Sequence, residues 1–228
     1  AYTGRMDVIP DGALFAEPPS VDGPPGWGDA PYVVIQLAGD MPDVRYGKRP
    51  DVFAAAVAKE IERLMADHPD FRCLLLPNVH SDVKLAAQCV EALDDRLRRT
   101  RVAVGSCDTG PEGWKSAYGL HRNAQAVFAM RFHANVVSVG LGVPVTGLSS
   151  HHKVAGFYRE MGLEDRCTVL DPGNLEAAVE AAFRQLNSDL EPAAAARVRE
   201  RQRQARNAER QKLKVFHSGL CEWLSARL

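Results

Sequence analysis

The run from Ala126 to Lys153, AVFAMRFHANVVSVGLGVPVTGLSSHHK, decides how the chain folds. Ala126 to Met130 is a continuous apolar segment of strand length, the mark of a buried strand. Arg131 and His133 follow where that strand ends, and open α/β sheets place ligands at the carboxyl ends of their strands. Ala134 to Leu141 has helical length, Gly140 and Gly142 mark its end, and Val143 to Gly147 is β-rich enough for the next strand. That strand delivers Ser149, Ser150, His151, His152 and Lys153 to the same edge. On an extended segment Arg131 and His133, at i and i+2, share one face. A guanidinium, several imidazoles, two hydroxyls and an ammonium are thus expected at two successive strand ends. Such a set suits a small anionic substrate and proton transfer.

Outward from this run, strand and helix patterns alternate. Tyr32 to Leu37 is a β-branched run typical of a strand buried on both faces in a parallel sheet. Gly39 to Pro50 reads as a polar loop with Arg45, Lys48 and Arg49. Asp51 caps a helix from Val52 to Asp67, whose apolar positions Phe53, Val57, Ile61, Leu64 and Met65 keep helical spacing. Cys73 to Leu76 is a second strand, Pro77 to His80 its exit loop, and Ser81 or Asp82 the cap of one helix running to Arg99. Arg101 to Gly105 is a third strand, Ser116 to Asn123 a short helix, Val154 to Met161 a helix, Cys167 to Leu170 a strand, and Asn174 to Leu186 a helix. This order predicts a doubly wound, parallel, Rossmann-like sheet over residues 31–190.

Residues 1–30 read as a linker or entry segment, with a short apolar run Met6 to Asp11 and, from Glu17 to Asp29, a linker or long surface loop carrying four prolines, Pro18, Pro19, Pro24 and Pro25. Residues 191–228 read as a basic amphipathic helix, with eight Arg or Lys against two Glu between Arg197 and Lys214. Its apolar residues Leu213, Phe216, Leu220, Trp223 and Leu224 keep helical spacing, so it is expected to dock on a neighbouring domain or to touch an anionic membrane surface peripherally.

Composition narrows the function classes. A hydrophobic content of 46% over 228 residues supports a sizeable core, and a net charge of -1 gives no argument for a nucleic-acid partner. The five cysteines are widely spaced without a C-x-x-C pair, which points to buried thiols in a reducing cytoplasm. The chain opens at Ala1 without an initiator Met, so it is expected to be a piece of a longer protein.

Among the candidate site residues, His133 reads as a general base, the alternative being a structural hydrogen-bonder, and Arg131 as an anion-binding cation, the alternative being a pair with a buried carboxylate. His80 leaves a neighbouring strand, while Asp82 fits a plain helix cap. His151 and His152 lack the i, i+4 geometry of helical zinc ligands, so no metal is expected. Gly140-x-Gly142 closes a helix, whereas a dinucleotide fingerprint opens one.

At Arg131, His133, Gly142-Val143-Pro144 and Lys153 the chain resembles the polysaccharide pyruvyl transferase family. The similarity continues through Gly156-Phe157 and Met161-Gly162-Leu163, and takes in His80-Ser81-Asp82 and Pro10-Asp11, covering most of Val8 to Leu186. The R-x-H, G-x-P, K arrangement is its specific part. The resemblance implies a GT-B-like enzyme of two Rossmann-like halves, of which this chain is the C-terminal one. It implies pyruvyl transfer from phosphoenolpyruvate to two hydroxyls of a glycan or lipid-linked sugar, giving a ketal and phosphate, with no cofactor. Arg131 and Lys153 would hold phosphate and carboxylate, His133 would take protons, and His80, Ser149, Ser150, His152 and Arg45 would complete the substrate site. The family often places an arginine at the end of the domain's first strand, where this chain has Ala38-Gly39; Arg45 or Arg49 is expected to stand in. The missing N-terminal half is the expected partner domain, and the cytoplasm, at the inner face of the membrane, the expected location. The alternatives are the donor domain of a GT-B nucleotide-sugar glycosyltransferase, against which stands the lack of an acid beside Lys153, and a non-catalytic docking domain.

Overall fold

The computed structural model describes residues 9–108 and 110–225, so Met6 to Val8 of the first apolar run lie outside the described residues. Six parallel strands form one sheet: β1 (Tyr32–Gln36), β2 (Arg72–Leu75), β3 (Val102–Val104), β4 (Ala126–Ala129), β5 (Val145–Ser149) and β6 (Cys167–Val169), in the order β3-β2-β1-β4-β5-β6. The expected doubly wound Rossmann-like sheet is present. β1 is central, with Val33 opposite both Cys73 and Ala126, and all five of its residues are buried. That burial explains its unbroken apolar run, since a strand covered on both faces has no polar side to alternate with.

The sheet sorts its side chains by strand period. Val33, Ile35, Cys73, Leu75 and Phe128 face one core with α2 (Pro50–Asp67), α3 (His80–Ala92) and α8 (Leu175–Ser188). Val34, Leu74, Val127, Ala129 and Val145 face the other, with α6 (Phe132–Leu141) and α7 (His152–Glu160). In α2, Pro50 opens the first turn and Phe53, Val57 and Ile61 are fully buried along one stripe. Burying each such side chain stabilises the fold by about 1.5–3 kcal/mol.

Several boundaries differ from the sequence reading. The stretch from Gly39 to Pro50 holds a short helix, α1 (Pro42–Tyr46), because Tyr46 is fully buried, stacks on Phe53 at 4.4 Å and donates to the Ala38 carbonyl at 2.5 Å. The helix expected to run to Arg99 breaks at Leu93, whose backbone is extended. Asp94 then caps α4 (Asp95–Thr100) by accepting from the Leu97 amide at 3.1 Å. α5 begins earlier, at Gly113 (Gly113–Asn123). β5 is shifted to Val145–Ser149, so Ser149 is a strand residue.

Residues 9–30 do not hang free as a linker. A 3-10 turn, Gly12–Phe15, packs on α6 and buries Leu14 in the core. Gly140 therefore lies inside α6, where a Cβ would meet the Leu14 carbonyl oxygen at 2.2 Å, and Gly142, at φ 70°, ends the helix. The last helix, α9 (Pro192–Ser225), crosses α6 and buries Ala195, Val198, Gln202 and Glu209. The stripe expected to dock is largely exposed in this chain, with Leu220 42% and Leu224 43% exposed. Among the described residues no helix is long and apolar enough to cross a membrane.

Candidate active site

The strand order reverses between β1 and β4, and such a switch point leaves a crevice at the carboxyl ends of the strands. A cleft of about 470 Å³ lies there, with Arg45, Arg131, His133, His151, Lys153 and Tyr118 on its walls. Its floor is fixed by a buried amide. Gln36, at the end of β1, accepts from the Arg131 amide at 2.7 Å and donates to the Leu37 carbonyl at 2.5 Å. Asn135 then ties the turn together by donating to the Ala129 and Arg131 carbonyls and accepting from the Tyr158 hydroxyl at 2.7 Å. These bonds tie the first turn of α6 to the last turn of α7.

Arg131 is not a strand residue, although its own backbone is extended. β4 stops at Ala129, Arg131 is the N-cap residue of α6, and His133 sits in the first helical turn. The i, i+2 argument therefore fails, although both side chains reach the cleft. Arg131 donates to both oxygens of Asp82, from Nε at 3.1 Å and Nη2 at 2.5 Å, and its Nη2 also lies 2.8 Å from Asp40. Burial works against the charged guanidinium, but Asp82 and Asp40 outweigh it and push its pKa up. The buried-carboxylate alternative for Arg131 is the geometry observed.

Asp82 is 1% exposed and accepts from three backbone amides, Gly39 at 2.8 Å, Asn78 at 3.1 Å and Val79 at 3.2 Å. It thereby joins the loops leaving β1 and β2 to the start of α6. Gly39 is required at this junction: a Cβ there would meet the Ser81 carbonyl oxygen at 2.0 Å. No side chain fits at Gly39, the second of the two positions where the resembled family's arginine would fall, and a guanidinium reaches the region from α1. Arg45, almost buried, donates to the Asp40 carbonyl at 3.0 Å, to the Asp40 carboxylate at 3.2 Å and to the Ser150 hydroxyl. Arg49 turns away and donates to the Pro172 carbonyl.

The remaining candidates divide. Lys153 lies exposed in the first turn of α7 on the cleft wall, and its amide donates to His151 Nδ1 at 3.3 Å. His133 is 60% exposed on its side chain, with Asp11 Oδ2 3.7 Å from its Nε2. His152 lies tilted against His151, ring centroids 4.1 Å apart, but does not line the cleft. Ser149 is buried and donates to the His151 carbonyl at 2.9 Å, and His80 opens α3 outside the cleft. Burial, His152, Arg45 and Lys153 all hold the His151 pKa below its usual value. Among the described residues no group of three or more His, Cys, Asp or Glu is placed to hold a metal.

Sequence reasoning passed over Asp40 and Tyr118. Asp40 follows Gly39 within the exit loop of β1, a placement that reads as a site in open α/β sheets. Burial pushes the Tyr118 hydroxyl up to about 12, with Asp11 adding to the effect. Asp40 is an acid that the reading of the Lys153 region did not weigh, and it touches both of the cleft's guanidiniums.

No protein-family profile matches the chain, and no curated protein matches it in sequence. Solved structures that share its architecture include the following two. One is a Thermobaculum terrenum O-GlcNAc transferase mutant, 14% identical with TM-score 0.52, matched over 88% of this chain and 35% of its own. The other is the apo structure of OtsA, 14% identical with TM-score 0.50, matched over 84% of this chain and 44% of its own. This chain thus spans less than half the length of either. At that identity the likeness shows the fold, a Rossmann-like α/β unit of the GT-B kind with a long C-terminal helix.

Proposed function

We propose that this chain is the phosphoenolpyruvate-binding half of a polysaccharide pyruvyl transferase. The observation that carries the reading is that Arg131, His133 and Lys153, the residues of the resemblance, line one cleft at the sheet's switch point together with Arg45. Phosphoenolpyruvate carries a phosphate and a carboxylate. Lys153 and Arg45 offer two cations for them, and the first-turn amides of α6 add donors that favour an anion. Protonation of the enol carbon makes its neighbour electrophilic, a sugar hydroxyl adds there, phosphate leaves, and a second hydroxyl closes the ketal. His133, exposed at the mouth with Asp11 beside it, is placed to take the hydroxyl protons. Arg131, committed to Asp82, contributes field and position as much as a direct ligand bond.

The acceptor is a glycan or lipid-linked sugar held mainly by a second, N-terminal half, in the cytoplasm. A nucleotide-sugar glycosyltransferase is the second reading. It is favoured by the fold likeness and by Asp40, a partly exposed carboxylate against the cleft's guanidiniums that could accept from ribose hydroxyls. Thermal denaturation of the full-length protein separates the two, since a ligand that binds the folded state raises Tm by mass action. Phosphoenolpyruvate should raise Tm and a uridine diphosphate sugar should not; the reverse pattern makes the chain a glycosyltransferase donor domain.

A further inference from the structure

Asp40 has no assigned task, yet its position is distinctive. Its Oδ1 lies 2.8 Å from Arg131 Nη2 and its Oδ2 3.2 Å from Arg45 Nη2, so one carboxylate spans both guanidiniums of the cleft. The two carboxylates around these guanidiniums differ in character. Asp82 is sealed, 1% exposed, and held by backbone amides, so it cannot leave Arg131. Asp40 is 35% exposed on its side chain, and its Oδ1 lacks a well-aligned hydrogen bond. Two guanidiniums against two carboxylates sum to no net charge, so an anion that relies on this pair alone must displace Asp40 from it, whereas one also anchored at Lys153 need displace it from one guanidinium only.

The backbone allows that displacement. Asp40 sits between β1 and α1, and the next residue, Met41, holds a left-handed backbone at φ 50° that a non-glycine residue adopts only when its surroundings impose it. Gly47 at φ 57° and Lys48 at φ 65° bound the other end of α1. Tyr46 meanwhile anchors the helix through its bond to Ala38, so Arg45 can stay while Asp40 swings away.

A ligand with one small anionic group exchanges one anion for another at this pair and gains little. A ligand with two anionic groups can take the place of Asp40 on one guanidinium and engage Lys153 or the second guanidinium with the other. We infer that Asp40 is a specificity-determining residue, an internal carboxylate that occupies the Arg45–Arg131 pair and yields to a ligand bearing two anionic groups rather than to a single anion. The inference deepens the proposed donor site and rests on that reading of the cleft as anion-binding.

The test is titration calorimetry of the full-length protein with phosphoenolpyruvate and, separately, inorganic phosphate, in the wild type, Asp40→Asn and Asp40→Ser. Asn keeps the shape of the side chain and Ser removes it, so two folded variants of different bulk report on the same charge. Both variants should bind inorganic phosphate about tenfold more tightly, the scale of one charge-assisted bond, while phosphoenolpyruvate changes less and the preference between them falls. An unchanged preference overturns the inference, whichever way the separate affinities move. If phosphoenolpyruvate binds none of the proteins while phosphate binding appears in the variants, the role of Asp40 stands and the pyruvyl-donor reading falls. Binding of neither ligand to any of the three proteins overturns both.

Discussion

Arg131 lies in a fork on the Asp82 carboxylate, Nε to Oδ2 at 3.1 Å and Nη2 to Oδ1 at 2.5 Å, and this pair joins three loops at the head of the cleft. The pair sits at the cost of desolvating both charges, so its larger consequence is positional: it fixes the start of α6 against the exits of β1 and β2.

Removing one partner should therefore damage the fold as well as the site. Arg131→Ala leaves the Asp82 charge buried with backbone amides alone, which should lower stability by about 3 kcal/mol or more. Urea denaturation measures it. Arg131→Lys keeps a charge but loses the fork, and should retain most of the stability while weakening ligand binding. A fully stable Arg131→Ala protein would show that Asp82 does not depend on the guanidinium.

Gly39→Ala tests the same junction from the backbone. The added Cβ would fall 2.0 Å from the Ser81 carbonyl oxygen, a group that cannot yield without moving α3. The substitution should cost at least about 2 kcal/mol, beyond the ordinary effect of a surface change. A midpoint equal to the wild type's would mean that the two loops separate freely.

Much of this fold was legible in the sequence because two-sided burial leaves a plain signal. The runs Tyr32 to Leu37 and Ala126 to Met130 hold the strands β1 and β4, and every residue in them is covered. Elements held by single tertiary contacts gave no such signal. α1 exists because Tyr46 reaches under Ala38, and the break at Leu93 because Asp94 caps a new turn. At the site, sequence order placed Arg131, His133 and Lys153 at neighbouring strand ends. It could not show that Arg131 faces a buried acid, since Asp82 lies far away in the chain and doubles as a helix residue. The same distance hid Asp40, whose partners come from α1 and α6. The exposed stripe of α9 shows the converse: spacing told that Leu220 and Leu224 share a face, but not what that face meets.

His121 supplies a pH signature independent of the cleft. It is fully buried on α5, with Nδ1 2.9 Å from the Ser138 hydroxyl, and burial pushes its pKa down from 6.5 to about 4. The unfolded chain binds a proton at this position where the folded one does not, so stability rises with pH across that window. The contribution is fully present above about 6.5 and lost as pH falls towards about 4, to the extent of about 3 kcal/mol. Denaturation of the wild type and His121→Gln at both ends of the window should show their stabilities converging at the acid end. A gap that stays constant would place the acid sensitivity elsewhere.

The central claim, that the cleft takes a donor with two anionic groups, is tested most directly through Lys153. Lys153 is exposed on the cleft wall, so its loss should not disturb the fold. A charge-assisted bond contributes roughly 1.5–3 kcal/mol, so Lys153→Ala should weaken phosphoenolpyruvate binding by about tenfold or more. Titration calorimetry of the full-length protein should give heat with phosphoenolpyruvate, its loss in Lys153→Ala at an unchanged melting temperature, and little heat with uridine diphosphate sugars. Tight binding of a nucleotide sugar, with no response to phosphoenolpyruvate in either protein, would contradict the account.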